Sequence, residues 1–144
     1  MTQVLDNYNI KELTGKNGLV IFFFPRAKSA DCSIEIEVFN HKLKDIQNLG
    51  FNVVGISTDK KEANEEFAKA HDLNYPLISD EHKTITKQFN DLTTVIRDGK
   101  EIERALRTTY LVDPSGKILA TLPDVNAITA ASDTINKIKE LQES

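Results

Sequence analysis

The one cysteine of this 144-residue sequence, Cys32, is the residue best suited to chemistry. It follows an apolar segment, residues 19–24, that predicts a strand, and it lies where a helical pattern begins. Backbone amide groups at the start of a helix carry partial positive charge and stabilise a thiolate, the nucleophilic form of cysteine. The position therefore allows nucleophilic sulfur chemistry. From position alone, a cysteine that only fills space in the core is an equally good interpretation.

Four further residues have a type and a spacing relative to Cys32 that bear on its function. Pro25 lies seven residues before the cysteine and Ser29 lies three before it, whereas Glu35 lies three after it. Much later, Arg107 opens the segment Arg-Thr-Thr-Tyr-Leu-Val-Asp. This set resembles the active site of peroxiredoxins, whose signature is a proline, three residues, a threonine or serine, two residues and the reactive cysteine. In that family, an arginine precedes Thr-Phe/Tyr on a second active-site strand.

The resemblance covers the chain from about residue 9 to the C-terminus and is to the peroxiredoxin Q, or bacterioferritin-comigratory, branch, in a one-cysteine variant. It implies a thiol-dependent peroxidase that reduces hydrogen peroxide or alkyl hydroperoxides through a cysteine sulfenic acid. It also implies a single thioredoxin-like domain over residues 1–144. Because only Met1 to Tyr8 precede the matching region, the N-terminal hairpin of the family is expected to be shortened.

The same resemblance implies a role for each site residue. The thiolate of Cys32 attacks one peroxide oxygen, and the guanidinium of Arg107 favours both the thiolate and the transition state. The hydroxyl of Ser29 holds the peroxide, although a simple helix cap is fully compatible with its position. Pro25 shields the thiolate and offers no competing amide. Glu35 positions the loop by pairing with an arginine. For Arg107, the alternative is a solvated strand residue.

Two positions depart from the family pattern. Ala30-Asp31 replaces the usual pair before the cysteine, and an acidic side chain beside a thiolate opposes its formation. Glu37 stands where this branch often has a resolving cysteine. We therefore expect an external thiol such as thioredoxin, glutaredoxin or glutathione to restore Cys32. The alternative function is a thioredoxin-fold redox-sensing or binding module with weak or no peroxidase turnover.

Composition and charge exclude several other classes. A net charge of −4 gives no electrostatic reason to bind nucleic acid or anionic lipid. The longest apolar run, residues 19–24, is too short to span a membrane. The first four residues lack the features of a signal peptide, and a single cysteine is typical of a reducing compartment, which predicts a cytoplasmic location. We expect a monomer or a weak homodimer.

Metal and cofactor sites are not expected. The three histidines and the single cysteine follow no metal-ligand spacing, and no glycine-rich phosphate loop is present. His41, His71 and His82 are therefore predicted to be exposed polar residues.

Strand and helix signals alternate along the chain. β-branched and aromatic runs predict strands at 19–24, 51–56, 77–78, 107–112 and 117–122. Apolar residues at three- and four-residue spacing predict helices after Cys32, after Asp59, near 85–89 and before the C-terminus. This order favours an α/β thioredoxin-like fold with a central mixed sheet and helices on both faces.

Three segments carry more detailed predictions. Asp59 and Glu62 have the spacing of a capping box, which opens a helix that buries Ala63, Phe67, Ala70 and Leu73. The last helix is predicted to carry Ile128, Ala131, Ile135, Ile138 and Leu141 on one face. The segment 91–106 is expected to be a loop or a small ribbon, because Asp98-Gly99 is a hairpin-turn dipeptide.

Overall fold

A five-stranded mixed sheet runs through the middle of the molecule. The strands of the chain are β1 (Gly18–Phe23), β2 (Phe51–Ser57), β3 (Leu77–Ser79), β4 (Leu92–Arg97), β5 (Lys100–Ala105), β6 (Thr109–Val112) and β7 (Ile118–Leu122). The strand order of the five-stranded sheet is β3-β2-β1-β6-β7. The computed structural model describes residues 10–143, with side chains from residue 12, so the expected N-terminal hairpin lies outside the described residues. β1, β2 and β3 run parallel, whereas β6 is antiparallel to both β1 and β7.

Helices cover both faces of this sheet. They are α1 (Ile10–Leu13), α2 (Ala30–Asn48), α3 (Lys61–Ala70), α4 (Thr84–Gln88) and α5 (Ala130–Glu143). Successive side chains of a strand point to opposite faces. In β1, Val20 and Phe22 pack in the cluster formed with α2, α3 and α5, whereas Ile21 and Phe23 pack in the cluster that contains α4. The predicted thioredoxin-like α/β architecture is confirmed.

The carboxyl end of β1 is the part of the sheet that matters for the site. β1 and β2 are adjacent and parallel, so their carboxyl ends lie at the same edge of the sheet. Phe23 N donates to Thr108 O at 2.8 Å, and Phe24 N donates to Ile56 O at 3.0 Å. These bonds fix the end of β1 between β2 and the segment that leads into β6. The chain then crosses residues 25–29 and enters α2.

The segment 91–106 is a two-stranded antiparallel ribbon made of β4 and β5, separate from the main sheet. Asp98 and Gly99 both have positive φ, 54° and 76°, as a two-residue hairpin turn requires. The small ribbon predicted from the Asp-Gly dipeptide is therefore present, with six residues in each strand. Its end at Ala105 is buried, which brings the following residues to the edge of the core.

The start of α3 differs from the prediction. Its N-cap is Lys60, which makes no side-chain cap hydrogen bond. Asp59 accepts a hydrogen bond from the backbone N–H of Ala27 at 2.6 Å instead. The predicted capping box with Glu62 is wrong, because the carboxylate of Asp59 binds a donor that lies far away in sequence.

The buried face of α3 also differs in part. Phe67 is buried, whereas Ala63 and Leu73 are only partly buried and Ala70 is exposed. The other buried residue of the helix is the polar Asn64, whose side chain hydrogen-bonds to the carboxyl ends of β2 and β3. The buried positions of α3 are therefore Asn64 and Phe67, and the apolar stripe does not extend to Ala70.

The last helix begins later than the apolar pattern predicts. Ile128 lies two residues before α5 and is 68% exposed, so it does not share the buried face. Ala131 and Ile138 are buried, and Ile135 and Leu141 are partly buried, as predicted for that face. Ile128 falls outside because a residue before the first turn does not follow the helical periodicity.

Candidate active site

Cys32 lies in the first turn of α2, and its side chain is fully buried. Ser29 is the N-cap of this helix, in extended conformation, and its Oγ accepts a hydrogen bond from Cys32 N at 3.3 Å. The helix cap interpretation of Ser29 is thus confirmed. An Oγ that accepts this bond keeps its own hydrogen available for donation. The cap therefore places a hydroxyl donor next to the cysteine.

Arg107 joins the cysteine to a buried carboxylate. It precedes β6, which begins two residues later than predicted, and its carbonyl accepts from Val125 N at 3.0 Å. Its Nη1 donates to Glu35 Oε1 at 2.6 Å, and its Nη2 lies 3.4 Å from Cys32 Sγ. The pairing of Glu35 with an arginine agrees with the prediction. One guanidinium thus contacts both the thiol and the carboxylate.

The electrostatics of this trio follow from burial and charge. Glu35 is fully buried, and burial raises its pKa from 4.5 to about 7, while the charge and hydrogen bond of Arg107 act in the opposite direction. Burial lowers the pKa of Arg107, but its electrostatic contacts and hydrogen bonds with Cys32 and Glu35 together outweigh burial and leave that pKa raised. Arg107 therefore stays cationic beside the sulfur at any physiological pH.

The remaining predicted residues lie close by in the loop. Pro25 is half-buried at its start and takes part in none of the hydrogen bonds described above. Asp31, which the sequence suggested would oppose the thiolate, is exposed at the start of α2, where solvent screens its charge. An acidic residue in the first turn also stabilises the helix dipole. Asp31 is therefore expected to oppose formation of the Cys32 thiolate less than the sequence alone suggests.

Asp59 also lies at the site, although the sequence pattern assigns it only to a helix cap. It follows β2, and its carboxylate contacts Ala27 in the loop and Arg104 at the end of β5. The available signal was topological: the parallel neighbour of the strand that carries the cysteine loop must end at the same edge. Asp59 is thus a side chain outside the predicted set that holds the backbone of the loop.

The described part of the chain also bears on the predictions for metal sites, histidines and membrane spans. Among residues 10–143, no three histidine, cysteine or acidic side chains are grouped so as to hold a metal ion. His41 and His82 are exposed, as predicted. His71 is only partly exposed, because it packs edge-on against Phe67 and its Nδ1 lies 3.6 Å from Glu37 Oε2. None of the described helices has both the length and the apolar character needed to cross a membrane.

This chain resembles known proteins in both sequence and fold. The AhpC/TSA family model matches residues 2–121. Peroxiredoxin Bcp of Escherichia coli is 29% identical over 135 residues, 94% of this chain and 86% of that protein. The crystal structure of peroxidoxin BcpB from Mycobacterium tuberculosis has a TM-score of 0.81 at 26% identity, over 92% of this chain and 84% of that one.

The bacterioferritin comigratory protein of Xanthomonas campestris has a TM-score of 0.80 at 23% identity, over 88% of this chain and 81% of that one. At that identity the likeness shows the fold alone. The family model, by contrast, matches residues 2–121, a range that includes both Cys32 and Arg107. The chain therefore belongs to the AhpC/TSA family, the peroxiredoxins, as a thiol-dependent peroxidase with one cysteine.

Proposed function

We propose that Cys32 is the residue that reduces the peroxide and that Arg107 is its main electrostatic partner. The observation that carries this proposal is the position of the guanidinium, 3.4 Å from Cys32 Sγ through one nitrogen and 2.6 Å from Glu35 through the other. A cation fixed at this distance favours the thiolate over the neutral thiol. It also stands ready for the negative charge that develops when the peroxide bond breaks.

The proposed reaction forms one bond and breaks one. The thiolate of Cys32 attacks one peroxide oxygen, the sulfur–oxygen bond forms, and the oxygen–oxygen bond breaks. The departing oxygen carries the electron pair, takes up a proton and leaves as water or an alcohol. Sulfur is oxidised to sulfenic acid while the peroxide is reduced.

Ser29, Glu35 and Pro25 prepare the site for this step. The Oγ of Ser29 is held by Cys32 N and donates its own hydrogen to the peroxide. Glu35 orients Arg107, because one of the two guanidinium nitrogens that point into the site is committed to its carboxylate. Pro25 covers the thiolate side of the loop and, without an N–H, offers it no competing donor.

Recycling requires thiols from outside the chain, since Glu37 replaces the resolving cysteine and no second thiol exists. One thiolate attacks the sulfenic sulfur, releases water and forms a mixed disulfide, and a second thiol then frees Cys32. We propose thioredoxin, glutaredoxin or glutathione as the reductant, which places the reaction in the cytoplasm, where these thiols are kept reduced. The protein works as a monomer or a weak homodimer.

Stopped-flow oxidation of Cys32 by hydrogen peroxide tests the assignment. Cys32→Ser should fold and lose all thiol-dependent peroxidase activity, because the chain has no other sulfur nucleophile apart from Met1. Residual turnover well above background in this variant would remove Cys32 from its role. Slow oxidation of the wild-type cysteine without turnover would favour the redox-sensing alternative instead.

Intact-mass spectrometry after stepwise addition of peroxide tests the recycling scheme. Without thiol, the chain should gain one, two and then three oxygens as sulfenic, sulfinic and sulfonic acids form. Added thiol should divert the first product into a mixed disulfide at Cys32. Sustained turnover in the absence of any external thiol would contradict the scheme.

A further inference from the structure

Asp59 fixes the backbone of the loop that precedes Cys32. Its Oδ2 accepts from Ala27 N at 2.6 Å, and Ala27 is 7% exposed. The N–H of Ala27 therefore has little water to bind if the carboxylate is lost, and an unsatisfied buried donor is costly. The contact spans 32 positions in sequence and ties the loop to the carboxyl end of β2.

The loop needs such an anchor because it contains a turn in a disfavoured conformation. Ser29 N donates to Arg26 O at 3.4 Å, and Lys28 between them has a φ of 70°. A residue other than glycine in this left-handed region is strained, and such strain persists only where surrounding contacts enforce it. The hydrogen bond to Ala27, which precedes Lys28, is one of these contacts.

Asp59 is itself held from two sides. Ser57 Oγ donates to Asp59 Oδ2 at 2.8 Å, and Asn64 Nδ2 donates to Ser57 Oγ at 2.9 Å. On the other side, Arg104 Nη1 lies 3.7 Å from Asp59 Oδ1. The carboxylate is only 12% exposed. It is therefore a rigid acceptor, whose position is set by β2, α3 and the ribbon.

We propose that Asp59 is a positioning residue for peroxide reduction. By holding Ala27, it keeps the strained turn at Lys28 closed and so sets where Ser29 Oγ lies relative to Cys32 Sγ. Asp59 does not touch the sulfur or the peroxide. The proposal rests on the function proposed above, because it matters only if Ser29 binds peroxide beside Cys32.

The first test compares two reactions of the same sulfur. In Asp59→Ala, the rate of Cys32 oxidation by hydrogen peroxide should fall on the order of 10- to 100-fold, since a misplaced hydroxyl no longer orients the peroxide. Alkylation of Cys32 by iodoacetamide needs no bound peroxide and should stay unchanged or become faster. A parallel fall of both rates, or an unchanged peroxide rate, would overturn the proposal.

Asp59→Asn separates the hydrogen bond from the charge. The amide oxygen still accepts from Ala27 N, so most of the peroxide rate should return relative to Asp59→Ala. If Asp59→Asn is as slow as Asp59→Ala, then the charge of Asp59, and not its hold on the loop, accounts for the loss, and the proposal fails. Asp45→Ala, which removes an exposed carboxylate near the far end of α2, is the matched control.

A second-site substitution tests the strained turn directly. Lys28→Gly, added to Asp59→Ala, should recover part of the lost peroxide rate, because glycine adopts a φ near 70° without strain. Lys28→Ala removes the same side chain, including its ion pair with Glu66, but keeps the strain. Equal rescue by alanine and glycine would show that the turn is not what Asp59 maintains.

The wild-type protein distinguishes the two levels of failure. If wild-type Cys32 does not react rapidly with peroxide, the function proposed above fails, and with it this inference. If wild-type Cys32 reacts rapidly and Cys32→Ser is inert, but Asp59→Ala matches the wild type, only the role of Asp59 is refuted.

Discussion

Two arginine–carboxylate pairs flank the cysteine loop, and they differ in the distance between their charged groups and in the burial of their carboxylates. We call Arg107–Glu35 the inner pair and Arg104–Asp59 the outer pair. The inner pair has a nitrogen–oxygen distance of 2.6 Å and a carboxylate with no exposed surface. The outer pair has a distance of 3.7 Å and side chains that are 22% and 12% exposed.

The two pairs therefore act on different parts of the site. In the inner pair, the second nitrogen of the guanidinium is directed at Cys32 Sγ, so its charge lies next to the sulfur. In the outer pair, the carboxylate is directed at the backbone of the loop, and Arg104 only braces that carboxylate. The electrostatic role proposed for the inner pair and the mechanical role proposed for the outer pair follow from these differences in burial and distance, although the two arginines are three residues apart.

Loss of the inner arginine should have the largest effect. Arg107→Ala removes a stabilising charge worth about 2.7–4 kcal/mol to the transition state, so peroxide reduction should slow on the order of 10²- to 10³-fold. Arg107→Lys should recover only part of this, because one ammonium cannot contact Cys32 and Glu35 with the geometry of a planar fork. Stopped-flow oxidation measures both variants. An intact rate in Arg107→Ala would show that the inner pair is only structural.

Titration of the inner carboxylate should have the next largest effect, on stability. The pKa of Glu35 is 4.5 in the unfolded reference and about 7 in the folded protein. Across this interval the folded state binds more protons, so the stability contributed by Glu35 is present below about 4.5 and is lost as the pH rises to about 7. Well above that value, where Glu35 is ionised in both the folded and the unfolded state, this contribution should change no further.

Urea unfolding of the reduced protein checks this sign. The free energy of unfolding of the wild type, relative to Glu35→Gln, should fall as the pH rises through that interval and then level off. Glutamine cannot ionise, so the variant lacks this slope. A difference that grew with pH would mean that Arg107 outweighs burial and that the fold favours the ionised carboxylate.

Loss of the outer arginine should have the smallest effect. A partly exposed pair at 3.7 Å contributes about 1 kcal/mol or less, and Asp59 keeps its bonds to Ala27 and Ser57 in Arg104→Ala. The peroxide rate should therefore stay within about fivefold of the wild type. If Arg104→Ala abolished activity while Arg107→Ala left it intact, the roles of the two pairs would have to be exchanged.

The same contrast explains what could be predicted from the sequence. Cys32 and Ser29 are close in the chain, so local spacing was enough to place the hydroxyl beside the helix start. Arg107 was found only through its family resemblance, and the structure places it 3.4 Å from the sulfur. The sequence pattern assigns Asp59 to a capping box, because that rule considers neighbours in sequence, whereas its observed partner Ala27 is 32 residues away.

The fold, too, is predicted where it depends on local patterns and not where it depends on long-range contacts. The order of strands and helices follows from alternation and periodicity, which are local patterns. The burial of Asn64 does not, since it depends on hydrogen bonds to Ser57 and Ser79 at the ends of two strands. The exposure of Ile128 likewise depends on where the last helix begins. Long-range polar contacts and element boundaries are therefore what the pattern could not supply.

Cys32 is completely buried, so oxidation by a small peroxide and reduction by a protein thiol place different demands on access to the sulfur. Hydrogen peroxide is small enough to reach the sulfur by slight movement of its surroundings, whereas a thiol carried on a protein can reach it only when the chain around Cys32 opens. Recycling by a protein reductant should then saturate as its concentration rises, at a ceiling equal to the opening rate. Oxidation by hydrogen peroxide should remain proportional to concentration over the same range.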